Sequence, residues 1–331
     1  QAQILINEIL SSNLSYANDD YGDYDDLIEL YNSTDEIIDL AGYYLSDDPN
    51  YLTKWNFPID DSLFLVLPKE YIVLWADGEP SQGSNHLPFS LNKDGESVIL
   101  TGLDGSTIID QKDYDKQLSN ISFGRNVADN NIWVYFTSPT IGSENGSGFE
   151  GIIDMPIIYP EGGYIYEPSI VSIINNNPQE LIYYTLNGNY PTPYADLYED
   201  QFIISNTTIV NARAFRDNHV PSFGNSFIYL MNESYSLPIL SIMTDPINLW
   251  DDSFGIYTNY LEEGVNWERR CNNQYFTINL PLFHTSSGIR IQGRSSRARP
   301  KKSFRLFYKN AYEQERLIYP LFGTNGPTSF K

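Results

Sequence analysis

Through most of this chain, apolar and polar residues alternate with a period of two. The alternation comes in short bursts separated by Gly, Asn, Asp and Pro, the pattern of half-buried strands joined by turns. Gln3–Leu10, Leu27–Tyr31, Tyr43–Leu45, Trp55–Phe57, Tyr71–Trp75, Ser97–Thr101 and Thr107–Asp110 each read as a strand. In the second of these, Leu27, Glu29 and Tyr31 oppose Ile28 and Leu30. The last two are joined by Gly102-Leu103-Asp104-Gly105-Ser106, a short connection rich in turn residues. Strands at such close intervals, with no convincing helix, predict an antiparallel sandwich. After a stretch that reads as a linker, Gly142–Gly148, a second and smaller series follows: Ile157–Tyr159, Ser169–Ile174, Leu181–Leu186, Gln201–Ile204 and Thr207–Phe215. Asn187-Gly188 marks a turn within it.

The last third is predicted to be less regular. Leu237–Met243 reads as a strand, Asp245 as the cap of a short helix over Pro246–Leu249, and Gly255–Asn259 and Gln274–Thr277 as further strands. Gly288–Tyr308, G-I-R-I-Q-G-R-S-S-R-A-R-P-K-K-S-F-R-L-F-Y, reads as strand, turn, strand. In its first half Ile289, Ile291 and Gly293 share one face, with Arg290, Gln292 and Arg294 on the other. Pro300 interrupts, since it donates no backbone hydrogen bond and biases Arg299 away from helix. The second half places Lys302 in register with Phe304, Leu306 and Tyr308. A buried ammonium is costly unless paired. Lys302 is therefore expected either at a strand mouth or beside an anion.

Charge sharpens that expectation. The net formal charge of −23 is distributed as −20 over residues 1–150, −6 over 151–232 and +3 over 233–331. The pI near 4.3 argues against nucleic acid as the partner of the whole chain. A length of 331 residues suits two domains or three. No apolar run approaches the length of a membrane span. The chain opens at Gln1 without a charged and apolar leader. It is expected to be a mature secreted or surface chain whose signal has gone, or a piece of a longer sequence. Cys271 is the single cysteine and reads as structural. His86, His219 and His284 are scattered through loop-like sequence without ligand spacing. The acidic stretch Asp19–Asp26 reads first as a solvated insertion between strands. A weak calcium site at Asp19, Asp23 and Asp25 is the alternative, since hard cations take clustered carboxylates, although the offsets are not those of an EF-hand.

Several runs resemble known families. I-N-E-I-L-S-S-N (Ile6–Asn13), D-L-I-E-L-Y-N (Asp26–Asn32), I-D-L-A-G-Y-Y-L-S-D-D (Ile38–Asp48) and K-W-N-F-P (Lys54–Pro58) resemble the lamin-tail family. So do Y-I-V-L-W-A-D (Tyr71–Asp77), L-N-K-D-G-E-S-V-I-L (Leu91–Leu100), S-F-G-R (Ser122–Arg125) and S-P-T-I-G-S-E-N (Ser138–Asn145). This resemblance implies an immunoglobulin-like β-sandwich that serves as a non-catalytic interaction module. L-I-Y-Y-T-L-N-G-N-Y-P-T (Leu181–Thr192) and F-I-I-S-N-T-T-I-V-N-A-R-A-F (Phe202–Phe215) resemble the chitobiase and β-hexosaminidase C-terminal domain, a β-sandwich accessory to catalysis elsewhere. Tyr183, Tyr184 and Tyr190 could stack on sugars there, with core or edge packing as the simpler role. L-P-I-L-S-I-M-T-D (Leu237–Asp245), W-E-R-R (Trp267–Arg270) and Gly288–Leu306 resemble the start of the CotH-type (spore-coat-protein-H) kinase-like family. That resemblance implies ATP and a divalent metal in a completed domain, with Lys302 as a phosphate contact helped by Lys301, Arg294 and Arg297. The family's metal-binding and catalytic acids lie downstream of this region, so no catalytic residue is assigned in this chain.

The expected architecture is mainly β. It comprises a lamin-tail sandwich over 1–148, a second smaller sandwich over 152–231, and a partial α+β kinase-like lobe over 233–331. The expected role is the N-terminal portion of a secreted or surface-attached bacterial multidomain protein. Its partners would be other protein chains or cell-surface components, with glycans also in view, and neither nucleic acid nor a membrane span. The alternative is a purely structural or adhesive protein, or a set of carbohydrate-binding modules.

Overall fold

Alternation marks the strands that have one wet face and disappears in those at the centre of a sheet. In the computed structural model, which describes residues 3–276, 283–323 and 325–331, β1 (Ile4–Leu10) is buried at every position and β2 (Asp26–Asn32) at nearly every one. Both lie in the middle of a six-stranded sheet. Its order is β10 (Trp133–Phe136), β9 (Ser122–Arg125), β1, β2, β5 (Tyr71–Ala76), β6 (His86–Leu87). The facing four-stranded sheet runs β8 (Ile108–Asp115), β7 (Gly95–Thr101), β3 (Tyr44–Ser46), β4 (Trp55–Asn56). Ile6, Ile9, Ile28, Leu30, Leu45, Phe57, Leu74 and Leu100 fill the core between them. The predicted strands of this segment are all present. The two-faced burial of β2 is the departure, because neighbours on both sides leave it no solvent face.

The stretch read as a linker is instead part of this unit. Phe149 pairs with Tyr135 through two backbone hydrogen bonds of 2.8 Å. Asn145 is buried, its amide donating to the Arg125 carbonyl at 2.7 Å. Gly148 has φ +57°, and a side chain there would meet Val134 at 2.5 Å. That glycine therefore serves close packing rather than slack. The compact unit closes at Gly151, and a second spans Ile152–Lys331.

The second unit opens with a sandwich. A three-stranded sheet, β11 (Ile157–Tyr159), β13 (Ser169–Ile174), β16 (Phe202–Ile204), faces a five-stranded one. The latter runs β12 (Gly163–Ile165), β18 (Asn225–Met231), β17 (Thr208–Phe215), β14 (Leu181–Thr185), β15 (Asp196–Leu197). Val171, Ile173, Val210, Ala212, Ala214, Phe227 and Tyr229 form the core, so the small apolar face of β17, made by Val210, Ala212 and Ala214, is the inward one.

The same compact unit continues into a four-stranded antiparallel sheet, β19 (Ile239–Met243), β20 (Arg269–Phe276), β21 (Phe283–Gln292), β22 (Ser303–Phe307). Asp245 caps the short helix α1 (Pro246–Trp250), its carboxylate accepting from the Ile247 N–H. Gly255–Asn259 is not a strand. Its backbone folds into successive turns, with Gly255 N–H on Asp251 O and Asn259 N–H on Gly255 O, and these bury Ile256 against Ile289 and Ile291. The strand predicted at Gln274–Thr277 begins earlier, at Arg269; Thr277 lies outside the described residues. β20 packs against β18 through polar side chains. The Ile228 N–H donates to Gln274 Oε1 at 2.8 Å, and Asn272 Nδ2 donates to Gly224 O at 2.7 Å and Ser226 Oγ at 2.9 Å.

Candidate functional site

The basic hairpin has the predicted faces. Ile289 and Ile291 are buried, Arg290 and Gln292 point the other way, and Phe304 and Leu306 pair with Ile291 and Ile289. Lys302 falls just outside β22. Its half-buried ammonium donates to the carbonyls of Arg297 at 2.7 Å and Arg299 at 3.2 Å. It also lies over the Tyr260 ring at 3.8 Å and near the Tyr257 ring at 5.0 Å. Carbonyl dipoles and ring faces thus partly replace the water this cation loses. Arg297 is likewise occupied. It is buried, with Nε on Gly293 O at 2.7 Å and Nη1 on the carbonyls of Tyr260 and Glu262, each at 2.9 Å. Arg294 and Lys301 are exposed. Of the four residues proposed for phosphate, two hold the Gly293–Pro300 turn and two face solvent.

In the acidic loop, Asp19 is buried and its Oδ1 accepts the N–H groups of Tyr21 and Asp23, each at 2.9 Å. That carboxylate organises a turn. Asp25 is pushed up to about 6 by burial, then by the neighbouring charges of Asp77, Asp19, Asp23 and Glu79. Among the described residues, no group of three or more His, Cys, Asp or Glu side chains converges as a metal site. The histidines lie in strands rather than loops. His86 is buried and hydrogen-bonded to a fully buried Asp77 carboxylate, and His284 stacks on Phe227 at 4.3 Å. Burial lowers the pKa of His284.

Two buried acid clusters escaped the sequence reading. Glu8 and Glu29, both fully buried, sit opposite each other on β1 and β2. Glu8 accepts from Thr140 N–H at 2.9 Å, from the Thr140 hydroxyl and from the Ser122 hydroxyl. Glu29 accepts from Asn7 Nδ2 at 2.7 Å and from the Gly142 N–H. Burial pushes Glu29 up to about 8 against these lowering bonds, and raises Glu8 as well. In the second unit a buried Glu268 carboxylate binds Arg290 Nε at 2.6 Å, Lys309 Nζ at 2.9 Å and the Tyr312 hydroxyl at 2.7 Å. The available signal was a lone Glu in an otherwise apolar strand, in I-N-E-I and L-I-E-L. Its partners are too distant in sequence to be read from there.

One open feature of the second unit is a cavity of about 260 Å³ between the sandwich and the last sheet. Tyr190, Asn211 and Phe223 line it from the sandwich, and Asn248, Arg270 and Asn272 from the last sheet and α1. The Arg270 guanidinium lies 4.1 Å from the Phe223 ring centre, with Nη1 on Tyr312 O at 3.1 Å and Nη2 on Ser286 Oγ at 2.9 Å. Its Nε is buried without a partner, and so is Asn211 Oδ1. Burial lowers the pKa of this guanidinium, and among the described residues no carboxylate stands at ion-pair distance from it. Tyr183 packs edge-on against Phe215 and Tyr184 stacks on Phe202, so Tyr190 is the member of the tyrosine trio that lines a cavity.

Residues 1–116 match the family model of the Lamin Tail Domain, and residues 160–223 match that of the Chitobiase/beta-hexosaminidase C-terminal domain. Neither match extends over residues 233–331. No curated protein matches the chain. No helix among the described residues is long and apolar enough to cross a membrane. The chain therefore carries a lamin tail domain followed by a chitobiase/β-hexosaminidase C-terminal domain, two β-sandwich modules of the kind used in extracellular or binding roles.

Proposed function

We propose that this chain is a non-catalytic binding portion of a secreted or surface-attached bacterial multidomain protein, in which two sandwich modules lead into a CotH-type kinase-like region. Its partners in this reading are cell-surface components, including other protein chains and glycans. The observation that carries the non-catalytic reading is the engagement of Lys302. Its nitrogen is held by two backbone carbonyls and a tyrosine face, so it stabilises the turn between β21 and β22. Phosphate contact by Lys302 with Lys301, Arg294 and Arg297, using ATP and a divalent metal, is the second reading. Exposure of Arg294 and Lys301 at the same turn favours it.

Thermal melts of the wild type and Lys302→Ala with ATP and magnesium or manganese separate the two. The binding-module reading expects no nucleotide effect on either protein. It also expects a Tm lowered by about 2–4 °C in the variant, from the loss of about 1 kcal/mol of turn stabilisation. A nucleotide-dependent rise in the wild type that Lys302→Ala abolishes would establish the phosphate site instead.

A further inference from the structure

Building on the binding-module reading, we infer that the cavity between β17, β18 and β20 takes a compact hydroxylated carboxylate. The class is a uronic-acid-type sugar or a small hydroxy acid, with its anionic end beside Arg270 and a hydroxyl on Asn211. Buried polar atoms are nearly always hydrogen-bonded, and each exception asks for a missing partner. Here one orphan donor, Arg270 Nε, and one orphan acceptor, Asn211 Oδ1, belong to two side chains lining the same cavity.

The donor sits on a desolvated cation that has no carboxylate at ion-pair distance among the described residues. Glu313 attracts it from farther off, and Asp245, whose carboxylate caps α1, lines the same cavity, so an anion is favoured only at the Arg270 end. The acceptor needs a donor, which chloride or sulfate does not supply and a hydroxyl does. Both atoms are closed off in the empty arrangement, so binding turns the Asn211 amide about its soft terminal torsion, giving up its 3.2 Å bond to Asn189 O, and requires the Arg270 side chain to shift toward the cavity. Small-ligand sites commonly measure about 300–1,000 Å³, so a cavity of about 260 Å³ selects a compact ligand. The Tyr190 and Phe223 rings, one face of each already covered by Arg213 and Arg270, offer their remaining surface to the C–H groups of a sugar. Gly224 belongs to the same design. A side chain there would meet the Tyr190 ring at 2.7 Å and Asn211 Oδ1 at 2.9 Å, pressing on the very groups that receive the ligand.

Calorimetric titration of the whole chain with D-glucuronate, L-lactate and D-glucose tests the inference. Saturable heat is expected from one or both acids and none from glucose. Glucuronate alone identifies a sugar acid, and comparable binding of lactate identifies a hydroxy acid. Asn211→Ala should weaken binding about tenfold and Arg270→Lys at least as much. Should Arg270→Lys fail to fold, Asn211→Ala decides. Silence from both acids, binding of glucose as tight as of glucuronate, or undiminished binding by Asn211→Ala would each overturn the proposal. The nucleotide melts probe Lys302 and not this cavity, so the two readings fail separately.

Discussion

A carboxyl group can be tolerated in a core if its environment decides which protonation state it keeps. Glu29 is held near 8 from an ordinary value of 4.5, chiefly by burial. The native state therefore keeps its proton across a range in which the unfolded chain has released it, and stability falls as pH rises from about 4.5 to about 8. Asp26, pushed up to about 7 by burial, acts in the same direction. The first unit should melt higher at pH 5 than at pH 8, and Glu29→Gln should flatten that slope whatever it does to the absolute Tm. In the second unit the buried carboxyl of Glu268 is instead surrounded by the donors of Arg290, Lys309 and Tyr312. Glu268→Ala leaves the half-buried Arg290 and Lys309 without their counter-ion and is expected to cost about 3 kcal/mol, measurable by urea unfolding. Gly288→Ala, whose new methyl would stand 2.6 Å from the Glu268 carboxyl carbon, should cost about 1–3 kcal/mol in the same assay.

At the level of elements, strands were legible wherever one face is wet. Ile289, Ile291 and Arg290 fell on the predicted sides because β21 has a genuine core face. Three things were not legible. Burial of β2 on both faces depends on neighbours far away in the chain. Gly255–Asn259 has strand-like composition, but the capped helix before it directs its amides back to Asn248, Leu249 and Asp251. Lys302 shared the parity of Phe304 and Leu306, yet parity stops carrying information where the strand ends, at Ser303. The candidate cavity was hidden for the same kind of reason. Asn211 alternates with Val210 and Ala212 along its strand, but nothing local joins it to Arg270. The junction of β18 and β20 is testable in its own right. Gln274→Leu removes the acceptor of the Ile228 N–H and should lower the stability of the second unit by about 1–3 kcal/mol, with little change in the first.

On the scale of the molecule, the chain has two separately cored units of contrasting charge. Residues 1–150 carry −20, while the basic run after Gly293 sits in the other unit. Two calorimetric transitions are expected, and the pH-dependent one should be that assigned to Glu29. The way residues 138–149 fold back onto β1 and β2 also bears on how this protein should be cut. The family match ends at residue 116, before β9 and β10 and before Thr140 and Gly142 have supplied their donors to Glu8 and Glu29. A piece ending there would have a naked β1 edge and two uncapped acids at its centre, and would be expected to aggregate on expression, whereas one ending at residue 151 should stay in solution.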